Sequence, residues 1–561
     1  MLNFLIFFSS FYFLLISTIG YGIIFENLCF GTFNKKKDNL IYTGFYGLMF
    51  ITLISLITSY FMAHNFYHNI ILHSIGFLFF VINFNKKNKN YLKYIFYISL
   101  LTMSALIISK TNDDFSYYHL PFSKYLTEQK IIFGMGHLNH GYNLLSSLFF
   151  LNSTLYLPFI KFFSFHFSLL FFLIFFNYFV LKEIFTKTIN KVIKYLYLFS
   201  FIFFNLSFYR IAEYGTDKVG QLLIVILIIK LFELVCFNKN KKNLENILYL
   251  LPLFGFCITL KTYFLPYVLL GLVLIFMNNQ IKKNLTFVLL SRSFLFLLLL
   301  LLLIFTHHFI STGCLISPIA FTCFGDSTSW GREISDIKNL SIWLEQWAKA
   351  GAGPGFRIDD PLIYIQSFNW VSNWMDRYFF GKFTDQIGIL FSCYLIVIFL
   401  FIKLKFDRSK FKNTNKIVYF YSLLLIIFSI WFLKHPTLRY GGYSIFFLVL
   451  SFPIAFIFGN LIEKKNLNRN MNFLIIFTVI VFNIKNFNRI NNEFKRNDIF
   501  KFSNFPFFVI KNQEFSKTKF DSGLTIYTQN NGHCWGIPSP CGGKGIITDK
   551  KSGYYFIQRI K

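Results

Sequence analysis

Apolar residues run along the chain in blocks of about 18 to 25, separated by short polar linkers, rather than recurring on one face as in a surface helix. Blocks of this length cross the roughly 30 Å hydrocarbon layer as helices. The pattern predicts about fourteen, with cores near 3–25, 41–62, 66–84, 92–109, 155–181, 195–212, 218–236, 245–260, 263–278, 286–310, 387–404, 416–433, 441–462 and 471–488. The first block has no basic stretch before it and no small-residue cleavage site after it, so it reads as a retained helix and not a signal peptide.

The linkers alternate in charge. Lys35-Lys36-Lys37, Lys86-Lys87-Asn88-Lys89, Lys182 to Lys194, Lys239 to Lys242, Lys282-Lys283, Lys403 to Lys416 and Lys464-Lys465 fall on every second loop, as the positive-inside rule requires of cytoplasmic loops. Counting from them, 110–154, 312–386 and 489–561 face the other side. The expected fold class is therefore an all-α membrane protein, a multi-pass helical bundle of about fourteen transmembrane helices. A polytopic membrane domain spans 1–488, with outer loops 110–154 and 312–386, and an extracytoplasmic C-terminal cap spans 489–561. Strand-like alternation in "GLTIYTQ" and "GYYFIQRI" gives that cap a β component. In the long outer loop, Trp343, Trp347, Trp370 and Trp374 stand near helical spacing, which suits amphipathic helices or an aromatic belt at the membrane interface.

Composition supports this plan. Of 561 residues 55% are hydrophobic and only 14% charged, against about 25% charged in soluble proteins. The net charge of +30 sits in the linker clusters, so it reports topology and not nucleic-acid binding. Four of eight cysteines lie in the outer segments as two close pairs, Cys314 with Cys323 and Cys534 with Cys541. Paired cysteines on an oxidising side suggest disulfides, with three possible connectivities. Zinc is the rival reading, because His533 adjoins Cys534, but neither pair has the short spacing of a zinc knuckle.

Candidate chemistry gathers at outer helix ends. "TNDDFSYYHLPFSKYL" places Asp113 and Asp114 side by side just after a membrane helix, with His119 nearby. Such carboxylates could deprotonate an acceptor hydroxyl, hold a divalent cation such as Mg or Mn, or merely cap a helix. His137 and His140 in the same loop are three apart and would share a face if that stretch were helical, as substrate or metal contacts. Arg210, Glu213, Asp217 and Lys218 cap the next outer turn, as substrate contacts or as ion-paired loop residues. Lys261 lies on the side where lysine should be scarce, which favours anion binding. His307 and His308 end a Leu-rich helix. Lys434, His435 and Arg439 occupy the outer turn "LKHPTLRYGGYS", where a guanidinium could grip a lipid phosphate bidentately or snorkel to ordinary phospholipid.

Together these features resemble the GT-C superfamily of glycosyltransferases, which includes protein mannosyltransferases and lipid A aminoarabinose transferases. More closely, "DDFSYYHLP", "TGCLISPIAFTCF", "PTLRYGG" and "CWGIPSPC", in this order, resemble a group of bacterial GT-C-like membrane proteins of about this length. The resemblance implies an integral protein of the bacterial inner (cytoplasmic) membrane with its active site on the extracytoplasmic face. It implies a polyprenyl-phosphate-linked sugar donor approached from membrane lipid, and a glycan, lipid or protein acceptor. Asp113 or Asp114 would then be the base or metal ligand, and Arg439 would contact the donor phosphate, with Lys261 as a second cation. The expected reaction is inverting transfer by direct displacement at the anomeric carbon. Two other functions compete: a lipid-linked polysaccharide polymerase or ligase, and a transporter or flippase of glycan or lipid. Polar groups at the outer helix ends and the lack of a sequence repeat argue against the transporter.

Overall fold

The computed structural model describes residues 2–31, 40–84, 86–109, 113–186, 189–213, 215–237, 243–271, 279–353, 358–406, 414–464, 466–496, 511, 513–543 and 545–560. Thr111 and Asn112 of the acidic stretch lie outside these, as do Lys35, Lys36, Lys37, Lys239, Lys241, Lys242 and Lys465 of the basic linkers.

The described chain is mostly helical. Eight helices are long and apolar enough to cross a membrane: α1 (Leu2–Phe30), α2 (Phe162–Ile184), α3 (Asp217–Phe237), α4 (Arg292–Thr312), α5 (Val371–Phe401), α6 (Asn415–Lys434), α7 (Leu438–Gly459) and α8 (Leu467–Arg496). They mark a membrane protein and coincide with eight of the predicted segments. The other segments form shorter helices. Thr43–Thr58, Phe66–Ile82, Leu244–Leu260 and Thr262–Gly271 are apolar, and Lys86–Thr102 and Lys191–Ser207 are 17 residues each. Near 260 the apolar run breaks because Lys261 adopts an extended backbone and Pro266 follows within a 3-10 turn.

Burial sorts the long helices. α2 and α3 are apolar around their whole circumference and are 94% and 89% buried, whereas α6 and α8 are 22% and 28% buried and present apolar side chains outward. α2 and α3 therefore form the centre, and the first turn of α3 carries the charged residues Asp217 and Lys218 into it.

The three segments expected on one face do meet. Phe133 pairs with the tail strand, its N–H donating to the Tyr555 carbonyl (2.9 Å) and its carbonyl accepting from Ile557 N–H (2.9 Å). Arg332 Nη1 of the long loop donates to the Gly136 carbonyl at 3.1 Å, and Arg559 of the tail lies 3.6 Å from Asp336. The tail forms two antiparallel hairpins, β3 (Phe515–Lys519) with β4 (Thr525–Gln529) and β5 (Ile546–Lys551) with β6 (Tyr554–Arg559), so both strand-like stretches are strands. A further pair, β1 (Ile402–Phe406) and β2 (Leu461–Glu463), extends the ends of α5 and α7. Leu524, Ile526, Ile546 and Ile557 of the tail share one core with Tyr118, Phe122, Tyr142 and Phe149. The tail is welded to the 113–150 segment by common burial.

Both disulfides form within the close pairs, Cys314–Cys323 and Cys534–Cys541. This removes the zinc alternative, since both thiols beside His533 are consumed. His533 instead places Nδ1 2.7 Å from the Ser116 hydroxyl. The interfacial reading of the tryptophans also needs correction. Trp370 and Trp374 are buried against Phe432, not laid on a surface: the Trp370 indole donates to the Ser367 carbonyl at 3.1 Å, and that of Trp374 serves an interior turn described below.

Candidate active site

The site begins with a turn. Between α6 and α7 the chain runs His435-Pro436-Thr437-Leu438-Arg439, and each exposed polar group of its backbone is tied down. Trp374 Nε1 donates to the Pro436 carbonyl (2.7 Å), Trp431 Nε1 to the Thr437 carbonyl (2.9 Å), and Leu438 N–H to the Tyr378 hydroxyl (2.8 Å). Gln221, one turn into α3, completes the frame: Nε2 donates to the Leu438 and Arg439 carbonyls at 3.2 Å each, and Oε1 accepts from Ser444 N–H at 3.0 Å. Gly441 has φ +82°, a left-handed conformation that a side chain would strain, and it lets α7 resume directly after Arg439. Arg439 is thus held by packing at both ends of its turn.

Its guanidinium meets two carboxylates. Nη2 pairs with Asp114 Oδ2 and Nε with Asp217 Oδ2, while Asp217 Oδ1 lies 3.4 Å from Lys261 Nζ. The Trp347 ring sits 5.9 Å from the guanidinium carbon and covers it. Two negative and two positive groups give the cluster no net charge, which is how charge survives at the end of a buried helix. Exposure is uneven. The side chains of Asp217 and Lys261 are 4% and 11% exposed, but those of Asp114 and Arg439 are 27% and 31% exposed. A ligand can reach the second pair.

Burial would raise the Asp114 carboxyl, but the Arg439 charge outweighs it and holds the group below the ordinary carboxylate value. His119, one turn beyond Asp114, is buried, and neither ring nitrogen has a hydrogen-bond partner. Desolvation lowers it to about 3, so the imidazole is neutral near pH 7. Gly215 makes room for it: a Cβ there would lie 2.4 Å from His119 Nδ1.

The remaining predicted residues divide. Asp113 is exposed. His137 and His140 do not share a helix face; Asn139 is extended and caps a new 3-10 turn, so they sit on separate turns. His137 Nε2 contacts the Trp330 carbonyl at 3.0 Å, and burial lowers its pKa to about 4. His140 lies edge-on to Trp343 at 5.0 Å. Arg210 and Glu213 pair with each other and, through Glu213, with Arg489 at 3.7 Å, in a cluster that excludes Arg439. Lys218 stacks on Phe208 and Tyr443. His307 Nε2 meets the Leu56 carbonyl at 3.0 Å, and His308 is buried. Lys434 and Lys349 both bind Glu345, at 3.2 and 2.7 Å.

Of the pair expected to hold Mg or Mn, Asp113 is exposed and Asp114 is paired with the Arg439 guanidinium, and among the described residues no group of three or more His, Cys, Asp or Glu side chains could hold a metal.

A family model described as Domain of unknown function (DUF8201) matches residues 4–447. The chain belongs to this family. The matched stretch of this DUF8201 member includes Asp114, Asp217, Lys261 and Arg439 and ends before the tail hairpins. No curated protein and no solved structure matches the chain.

Gln221 is the site residue that sequence reasoning left out, and Asp217 was read only with the outer turn and not with Arg439. Their signal was present: in "DKVGQLLIVILIIKLF" they are four apart, on one face of a largely apolar helix. Polar groups at such positions need partners, and here the partner is the Arg439 turn.

Proposed function

We propose that this protein is an inverting GT-C-type glycosyltransferase that moves a sugar from a polyprenyl-phosphate donor to an acceptor at the outer face of the bacterial inner membrane. The observation that carries the reading is the accessible Asp114–Arg439 pair, built from residues 325 positions apart and backed by the sealed Asp217–Lys261 pair. A membrane plan with about fourteen crossings is supported by a helix at each of the fourteen predicted segments, eight of them at full crossing length. An oxidising outer face is supported by two disulfides in the segments that surround the site.

In this reading the donor phosphate arrives from the lipid side and takes the outer edge of the Arg439 guanidinium. Asp114 loses part of its cationic partner and becomes a better proton acceptor. The acceptor oxygen, hydrogen-bonded to Asp114, forms its bond to the anomeric carbon as the bond from that carbon to the phosphate oxygen breaks. The acceptor proton passes to the carboxylate, and the electron pair leaves on the lipid phosphate, where Arg439 stabilises it. Asp217 and Lys261 position Arg439 and are not asked to touch substrate.

The test is genetic and chemical. Deleting the gene should remove a defined glycan from the cell envelope, and wild-type and Asp113→Asn genes should restore it while Asp114→Asn, expressed to the same level, should not. Restoration by Asp114→Asn would end this reading.

A further inference from the structure

Next to the ion pair lies a cavity of about 690 Å³, within the roughly 300–1,000 Å³ of small-molecule sites. It lies between the 113–150 segment and the surface helix Ile334–Lys349. Tyr117, three residues after Asp114, lines it on one side; Trp343, one turn before the Trp347 that covers Arg439, lines it on the other. Neither Asp114 nor Arg439 lines it, but its lining residues Tyr117 and His140 lie within reach of the Asp114 charge.

Its lining is mixed. Leu340, Ile358 and Pro361 join the rings of Tyr117 and Trp343 as apolar surface. Arg332, its one described arginine, places Nη2 2.7 Å from Asp336 Oδ2, and Arg559 of the tail approaches the same carboxylate at 3.6 Å.

Aromatic and aliphatic faces combined with an ion pair, an imidazole and amides suit a ligand with apolar ring faces and hydroxyl edges. We propose that the cavity binds a saccharide, and that this saccharide is the acceptor whose hydroxyl is presented to Asp114; the second clause rests on the glycosyl-transfer reading above. Trp343 supplies a stacking face, and the Arg332–Asp336 pair and the amide of Asn339 supply the edge contacts.

The experiment uses the full-length protein in nanodiscs on a microarray of defined hexose, hexosamine and deoxyhexose oligosaccharides. Wild type should bind a subset. Trp343→Ala should weaken that binding about tenfold, the loss expected when one aromatic contact goes. Because Trp343→Ala could disturb folding, Asn339→Trp is the companion: Asn339 is exposed on the surface helix, and a bulky ring there fills the chamber without touching a core. It should abolish binding while thermal melting is unchanged. Asp114→Asn should still bind. No bound saccharide, or binding indifferent to Asn339→Trp, would overturn the proposal. If no saccharide binds yet Asp114-dependent transfer to a peptide or lipid is found, the saccharide proposal falls and glycosyl transfer stands. Binding that Asn339→Trp blocks, together with glycan restored by Asp114→Asn, keeps the cavity and removes the reaction.

Discussion

Two arginines from late in the chain each meet an acid at an outer helix end, and they are built for different tasks. Arg489 on α8 is 5% exposed and pairs with Glu213, itself 4% exposed. Nε donates to Asn486 Oδ1 at 3.2 Å, and the rest of the fork goes to backbone: Nη2 reaches the carbonyls of Ser104 and Ile107, both at 2.9 Å, and Nη1 reaches Ile108. Arg489 caps the carbonyls left unpaired where the helix from Lys86 ends. Among the described residues Arg439 donates to no backbone carbonyl; Nε and Nη2 go to carboxylates, and nearly a third of its side chain is open. A sealed guanidinium that satisfies main chain holds a fold together, and an open one that satisfies only side chains can exchange a partner for a ligand.

This contrast can be broken by experiment. The largest effect is expected at Asp114: Asp114→Asn should lower the initial rate of transfer by about 10²- to 10⁴-fold, the range for a lost general base, with little change in melting temperature. Next comes Arg489→Ala, which removes one partner of a buried pair and should cost about 3–5 kcal/mol of stability, read by thermal unfolding in detergent. An Arg489→Ala protein that melts like wild type but transfers no sugar would reverse the assigned roles.

Acid sharpens the comparison further. Burial lowers His119 to about 3 and His137 to about 4, against about 6.5 in an unfolded chain. Between those values the unfolded chain binds protons that the folded one refuses, so stability should fall as pH drops from about 6.5 toward 4. Asp114 acts lower: its stabilising pair with Arg439 is intact above the ordinary carboxylate pKa and is lost only below it. His119→Gln should flatten the melting-temperature profile between pH 6.5 and 4. The smallest effect belongs to Asp113→Asn, whose exposed side chain should leave both rate and melting temperature at wild-type values.

Local patterns carried much of this arrangement. Apolar block length located the helices, alternation located the tail strands, and cysteine proximity located the disulfides. What local pattern cannot encode is which of two adjacent carboxylates turns inward. Asp113 and Asp114 are equivalent in sequence, and only the Arg439 turn, set by Gln221 and two indoles, separates them. The same limit explains Trp370 and Trp374, whose helical spacing fits an interface as well as an interior. It also explains His137 and His140, where an extended Asn139 interrupted the assumed helix.

The Cys534–Cys541 hairpin has a consequence for biogenesis. His533 and the Trp535 amide both clasp Ser116, 417 positions upstream in the case of His533, and Lys124 Nζ grips the Gly536 and Ile537 carbonyls at 2.6 and 2.8 Å. A ribosome delivers the acid-bearing turn hundreds of codons before the clasp that seats it. The nascent chain therefore carries the Asp114 turn without its clasp until the distal hairpin has been made and docked.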